Sequence, residues 1–152
     1  MAIKIKKLYP EAKLPTKAHK KDVGWDLYIH SIEKITGIPS TEGNRFYNGI
    51  LYKVGYGIAV ESTEGTYVEI VPRSSVYKTG MILTNSTGII DPDYRGELMS
   101  YMYYYDLGRD EPKVGDRIAQ LVLRPYLATD IQEVDELSDT ERGDRAFGSS
   151  GS

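Results

Sequence analysis

An all-β domain is the fold class this sequence predicts, and three observations predict it. Short apolar runs recur along the chain, divided by turns built on Gly, Pro, Asn and Ser. No window carries an amphipathic helix of ten or more residues. The most apolar stretch, IAQLVLRPY from Ile118 to Tyr126, has the length and the branched side chains of a strand. Together they specify a sandwich or a barrel.

In chain order, Ile3 to Leu8 alternates apolar and basic residues, as an edge strand guarded by lysines does. Pro10 to Pro15 is a loop and Trp25 to Ile29 a second strand. Residues 31 to 48, rich in Ser, Thr, Gly and Asn, read as a long excursion. Ile50 to Val60 and Thr66 to Val71 are strands joined by a turn at Ser62-Thr63-Glu64-Gly65. Ser74 to Thr79 is one short helical turn. Met81 to Thr84 leads into a predicted hairpin, Thr84 to Glu97, and Glu97 to Tyr105 leaves it. Gly108 to Gly115 is a charged turn, and Arg117 to Tyr126 is the long apolar strand. From Asp130 to Glu141 the chain turns acidic and loses apolar periodicity, and the last ten residues are small and polar around Phe147. The division expected is a β core over 1–129 and a flexible C-terminal arm over 130–152.

Composition bounds the function. A chain of 152 residues suits one domain with its own core. Its net charge of -3 argues against a duplex nucleic-acid binder, though local arginines can still hold a phosphorylated small molecule. The absence of cysteine excludes disulfides and thiolate chemistry. No apolar run approaches the roughly 20 residues that span a bilayer, and the first residues lack a signal-peptide core, so a cytoplasmic protein without membrane contact is expected. Thirteen tyrosines stand against two phenylalanines, five of the tyrosines between Tyr94 and Tyr105, which suits a subunit interface or a half-wet sheet.

The hairpin carries the densest chemistry. Asn85-Ser86-Thr87-Gly88 and Asp91-Pro92-Asp93 form turns. Ile89-Ile90 is an apolar pair that should face a core, leaving Asp91 poorly solvated and suited to act as a base toward water. Elsewhere, Asp26 in DVGWDL either binds the water shell of a cation or caps a turn, and Gly24 allows a tight start to the strand. Arg73 in PRSS has the planar fork that suits phosphate, with Ser74 and Ser75 beside it. The alternative is a capping Ser and a solvent-facing Arg. Gln120 presents an amide from the long strand. Arg117 reads as structural, paired with a carboxylate.

These segments, in this order, resemble the five motifs of the trimeric deoxyuridine triphosphatases (dUTPases). DVGWDL is similar to A-G-x-D-L, PRS to P-R-S, and NSTGIIDPDYRG to N-x-x-G-x-I-D-x-x-Y-x-G. GDRIAQ is similar to G-x-R-I-A-Q, and Arg142-Gly143 with Phe147-Gly148-Ser149-Ser150-Gly151 to the glycine-rich fifth motif. The resemblance implies a jelly-roll-like homotrimer that hydrolyses dUTP to dUMP and pyrophosphate, keeping uracil out of DNA and supplying dUMP for thymidylate synthesis. It implies Asp91 as the base that activates water attacking the α-phosphate. Tyr94 would stack on the deoxyribose, and Asn85 and Gly88 would read the uracil edge, with Ile90 and Met99 also in contact with substrate. Arg73, Ser74, Ser75 and Gln120 would hold phosphates. Arg142 and Ser149 would reach the γ-phosphate, with Phe147 stacked on the uracil and Gly148 beside it. Asp26 would hold Mg2+ through water.

Two departures stand out. Arg145-Ala146 replaces the family's Gly-Gly before the Phe, and Tyr104 stands where an Asn is usual. The related dCTP deaminases place a catalytic Glu where this chain has Tyr101, so that reading lacks its base. A regulatory protein that binds nucleotide and signals to an unknown partner is the rival of another class, and the intact Asp91 disfavours it as the sole role. The location would be host cytoplasm if the chain is viral.

Overall fold

The computed structural model describes residues 2–35 and 49–144. The strands are β1 (Lys4–Lys7), β2 (Trp25–Leu27), β3 (Ser31–Ile35), β4 (Ile50–Gly55), β5 (Ile58–Glu61), β6 (Thr66–Pro72), β7 (Met81–Leu83), β8 (Gly88–Ile90), β9 (Met99–Tyr104) and β10 (Ala119–Pro125). Every pairing between them is antiparallel. One sheet has the order β2-β10-β6-β8, a second β3-β4-β9-β7, and β1 pairs with β5 apart from both. The all-β prediction holds. A 3-10 turn, Val76–Lys78, falls where the helical turn was predicted. No described helix is long and apolar enough to cross a membrane.

Period-two alternation builds the core. β6 turns Thr66, Val68 and Ile70 inward, and β9 turns Ser100, Met102 and Tyr104 inward. Leu27 and Leu121 from the first sheet meet Tyr52, Val54 and Met81 from the second in one cluster, which Ile58 and Leu98 close. Tyr56 is buried there and donates to Ser100 Oγ at 2.9 Å. Burial pushes its hydroxyl up to about 12, against the Ser100 bond.

Three boundary predictions are corrected. The excursion begins five residues late, because Ser31–Ile35 pairs with β4; residues 36–48 lie outside the described ones. The run 50–60 is two strands in two sheets. Gly57 breaks it at a φ of +67, where a Cβ would stand 2.7 Å from His30 Cγ and 2.8 Å from Ala12 Cβ. Thr84 to Glu97 is not a simple hairpin. β7 and β9 do pair with each other, but the chain between them leaves that sheet and adds β8 to the edge of the other.

The tyrosine-rich strand is half core. Tyr104 is 1% exposed, and its hydroxyl donates to the Arg109 carbonyl. Tyr52 donates to Glu111 at 2.9 Å, and burial, followed by that bond, pushes its hydroxyl up to about 12. Two buried rings therefore pin the loop after β9, which accounts for a tyrosine at 104. Tyr101 and Tyr105 face outward.

Candidate active site

Asp26 organises one end of the first sheet. It pairs with Gln120 across β2 and β10, and it is 8% exposed. Arg73, just beyond β6, donates from Nε to Oδ1 at 2.7 Å, and Arg117 donates from Nη1 to Oδ2 at 3.1 Å. Arg73 Nη1 also donates to the Arg117 carbonyl at 3.1 Å. One carboxylate thus clamps two guanidinium groups and leaves a local charge of +1. Arg117 has the structural pairing the sequence predicted. Ser75 Oγ lies 3.5 Å from Arg73 Nη1, while Ser74 is exposed.

Gln120 donates from Nε2 to the Pro72 carbonyl at 3.1 Å. Gly24 makes room for it: a Cβ there would fall 2.1 Å from Gln120 Oε1. The glycine serves Gln120 rather than only the start of β2, a long-range reason that no local pattern reveals. Beside this cluster, Arg73, Ser75 and Arg117 share a cavity of about 700 Å³ with Lys78, Arg109 and Lys113. Arg109 also donates to the Lys78 carbonyl at 2.8 Å, tying the tyrosine-pinned loop to the 3-10 turn. Arg109 and Lys113 were missed in the sequence, where they read only as members of a charged turn.

Among the described residues no group of three or more His, Cys, Asp and Glu could hold a metal ion. Each oxygen of Asp26 already accepts one guanidinium bond, but a carboxylate has lone pairs to spare. Asp26 therefore fits as an acceptor from the water shell of a magnesium ion whose direct ligands come from elsewhere.

The second group of predicted residues sits on the opposite edge. Asn85 is exposed and its carbonyl accepts from Thr87 N at 2.5 Å. The left-handed residue of this turn is Ser86, at a φ of 58, not Asn85 or Gly88. Ile90 packs on the core, but Ile89 is 66% exposed. Neighbours in a strand point to opposite faces, so the two could not both be buried. Asp91, expected to be poorly solvated, is exposed in the single chain. Tyr94 closes a turn, its N donating to Asp91 O at 3.1 Å and its hydroxyl to Glu97 O at 3.0 Å. Its ring lies on Gly96, where a Cβ would come within 2.3 Å of Tyr94 Oη. Glu97, also missed, accepts from Gly57 N at 2.8 Å and fixes this segment to the break between β4 and β5. Met99 is half-exposed at the start of β9.

The structure brings Asp26, Arg73, Ser75 and Gln120 together, and separately Asn85, Gly88, Ile90, Asp91 and Tyr94. It does not join the two groups. Asp26 stands level with Val71 of β6 through Gln120, whereas Ile90 stands level with Val68 at the far edge. Three strand spacings and three residues of rise put roughly 17 Å between Asp26 and Ile90, and Asp91 lies further along. Arg142 is exposed. Arg145, Ala146, Phe147, Gly148 and Ser149 lie outside the described residues.

Comparison with known proteins meets this geometry from another side. The dUTPase family profile matches residues 10–151. A deoxyuridine 5'-triphosphate nucleotidohydrolase of Nautilia profundicola is 41% identical over 152 residues, covering 99% of each chain. The dUTPase of Staphylococcus bacteriophage 80alpha, solved with dUpNHpp, superposes with a TM-score of 0.80 at 26% identity, covering 99% of each chain. The dUTPase of phage phi11 of S. aureus, in which a structural Mg(II) ion is coordinated, shares the fold at a TM-score of 0.70 and 20% identity.

Proposed function

The chain belongs to the dUTPase family, and we propose that it hydrolyses dUTP to dUMP and pyrophosphate at sites assembled between copies of itself, in a homotrimer. The observation that carries the shared site is the placement of the two groups. A base must stand within hydrogen-bond reach of the attacking water, itself about 3 Å from phosphorus. Asp91 and the Arg73–Gln120 cluster of one chain are too far apart to meet one triphosphate. Copies that place one chain's β8 edge against another's β2 edge bring them together.

In this reading Asp91 takes a proton from water as its oxygen bonds to the α-phosphorus. The bond to the α,β-bridging oxygen breaks, and pyrophosphate leaves with those electrons. Gln120, held over Gly24, and the exposed Ser74 donate to phosphate oxygens. Arg73 and Arg117, neutralised only in part by Asp26, stabilise the charge that builds on the leaving group. Magnesium, its water shell held by Asp26, would neutralise phosphate charge when bound. The Asn85–Gly88 turn offers main-chain groups to the uracil edge, and Ile90 and Met99 line its surroundings. Tyr94 covers the sugar and leaves no room for a 2′-hydroxyl. The arm beyond Thr129 closes from a neighbouring copy, with Arg142 and Ser149 toward the γ-phosphate and Phe147 on the base. Such an enzyme would work in the cytoplasm, a host's if the chain is viral.

Pyrophosphate release from dUTP, dCTP, dTTP and UTP tests the activity. Release from dUTP alone is expected. Ammonia release from dCTP, or turnover of UTP as fast as dUTP, would contradict it.

A further inference from the structure

Charge is divided unevenly along this chain. Residues 2–21 hold seven lysines against the single carboxylate of Glu11, a net charge of +6. Residues 130–144 hold seven carboxylates against Arg142, a net charge of -6. Among the described residues only Lys4 of the seven lysines has a carboxylate partner, Glu61. Asp130, Glu133, Asp135, Glu136 and Asp139 have no described cationic partner, and residues 124–144 are exposed throughout. The arm also presents apolar side chains to water, with Ile131 101% and Leu137 87% exposed. Among the described residues, Asp130 to Asp139 meet no covering surface of their own chain.

The lysines lie beside the phosphate-facing cluster. Thr16 bridges Asp26 on the outer side of β2. Lys17 Nζ sits 3.7 Å from the centre of the Trp25 ring, and Lys13 Nζ 5.3 Å from that of Tyr28, which Arg117 also approaches. Lys20 and Lys21 continue the strip in an exposed turn. Cation–π seats hold Lys13 and Lys17 in place, so less side-chain freedom is lost when an anion arrives.

We propose that the lysine strip of residues 13–21 is a docking track for the acidic arm, residues 130–141, of a second copy of this chain. The track passes Asp26 at Thr16, so an arm lying along it comes close to the cluster that Asp26 forms with Arg73. A dozen extended residues reach about 40 Å, enough to cross from one copy to another. Opposite charge guides the arm, and docking covers Ile131 and Leu137. The inference rests on the proposal that the arm serves the site.

Two charge-reversed full-length variants test it, Lys13, Lys17, Lys20 and Lys21→Glu in one, and Asp130, Glu133, Asp135 and Glu136→Lys in the other. Each should lose about tenfold in kcat/KM for dUTP at low salt, the loss shrinking in about 0.5 M salt as screening removes the attraction. Both sets in one chain should restore kcat/KM to within about twofold. Co-refolding the two single-set variants should also restore it, because each then meets its complement in trans. If the lysine set lowers kcat/KM equally in a chain ending at Thr129, the lysines attract substrate and not the arm. If the combined set is no better than either alone, there is no track. Full activity of the chain ending at Thr129 would instead remove the arm's role itself. Should the fourfold lysine variant not fold, Lys20→Glu with Lys21→Glu, both in an exposed turn, gives the same readings at about threefold.

Discussion

The two edges of the first sheet are built in opposite ways. At the β2 edge, Asp26 is nearly buried and both its oxygens are bonded to guanidinium groups, and Gln120 is seated over a glycine that makes space for it. At the β8 edge, Asp91 is exposed, Ile89 is turned outward, and Tyr94 is folded onto its own turn. One edge is finished within the chain; the other is presented to something outside it. Charged groups that bind phosphate must be ordered in advance, because two uncompensated arginines side by side would repel. In the proposed shared site, a base and a sugar-covering ring would gain their environment only when substrate and a neighbouring copy arrive. Exposure of Asp91 in the single chain is what the proposed shared site would require.

That contrast separates turnover from stability. Asp91→Asn is expected to lose about 10² to 10⁴-fold in kcat, the range for a positioned base, with Tm within about 2 °C of the parent and binding of a non-hydrolysable dUTP analogue retained. Asp26→Asn should behave in the reverse sense. It removes the charge between two arginines at a nearly buried position, costing about 3 kcal/mol and lowering Tm by roughly 10 °C. Thermal melts of the two variants decide whether the edges differ as described; equal Tm values would erase the distinction.

A smaller effect sharpens the finished edge. Gly24→Ala pushes its Cβ into the Gln120 amide, so Gln120 must leave the Pro72 carbonyl. KM for dUTP should rise about tenfold while kcat changes less, the mark of a binding interaction lost. Steady-state kinetics read this directly. On the open edge, Tyr94→Ala should raise turnover of UTP relative to dUTP by about tenfold, with little change in Tm, since Tyr94 is exposed at a turn. An unchanged ratio would make Tyr94 a packing residue.

Much of this was legible in the sequence, for local reasons. Alternation and turn residues specified the strands of the core, and motif residues marked the two clusters that the proposal joins into one site. Three things were not legible. Gly24 looked like a glycine for the start of a strand, because Gln120 is 96 positions away. The run from Ile50 to Val60 looked continuous, because nothing in IAV announces a change of sheet; the break falls at Gly57, whose φ of +67 lies outside the strand region. Ile89 looked buried because hydrophobicity alone does not say which of two adjacent strand residues faces inward. The separation of Asp91 from Arg73 depends on strand order, which local pattern leaves open.

Co-refolding of two inactive parents, Asp91→Asn and Arg73→Ala, tests the shared site most directly. Arg117 still pairs with Asp26 in the second parent, so its fold is kept. In mixed assemblies formed at random, about a quarter of the sites would combine an intact Asp91 from one copy with an intact Arg73 from another. Recovery of pyrophosphate release toward that fraction is the expected result. No recovery, in assemblies shown by mass to contain both parents, would mean that one chain must supply both groups and that the edges do not meet between copies.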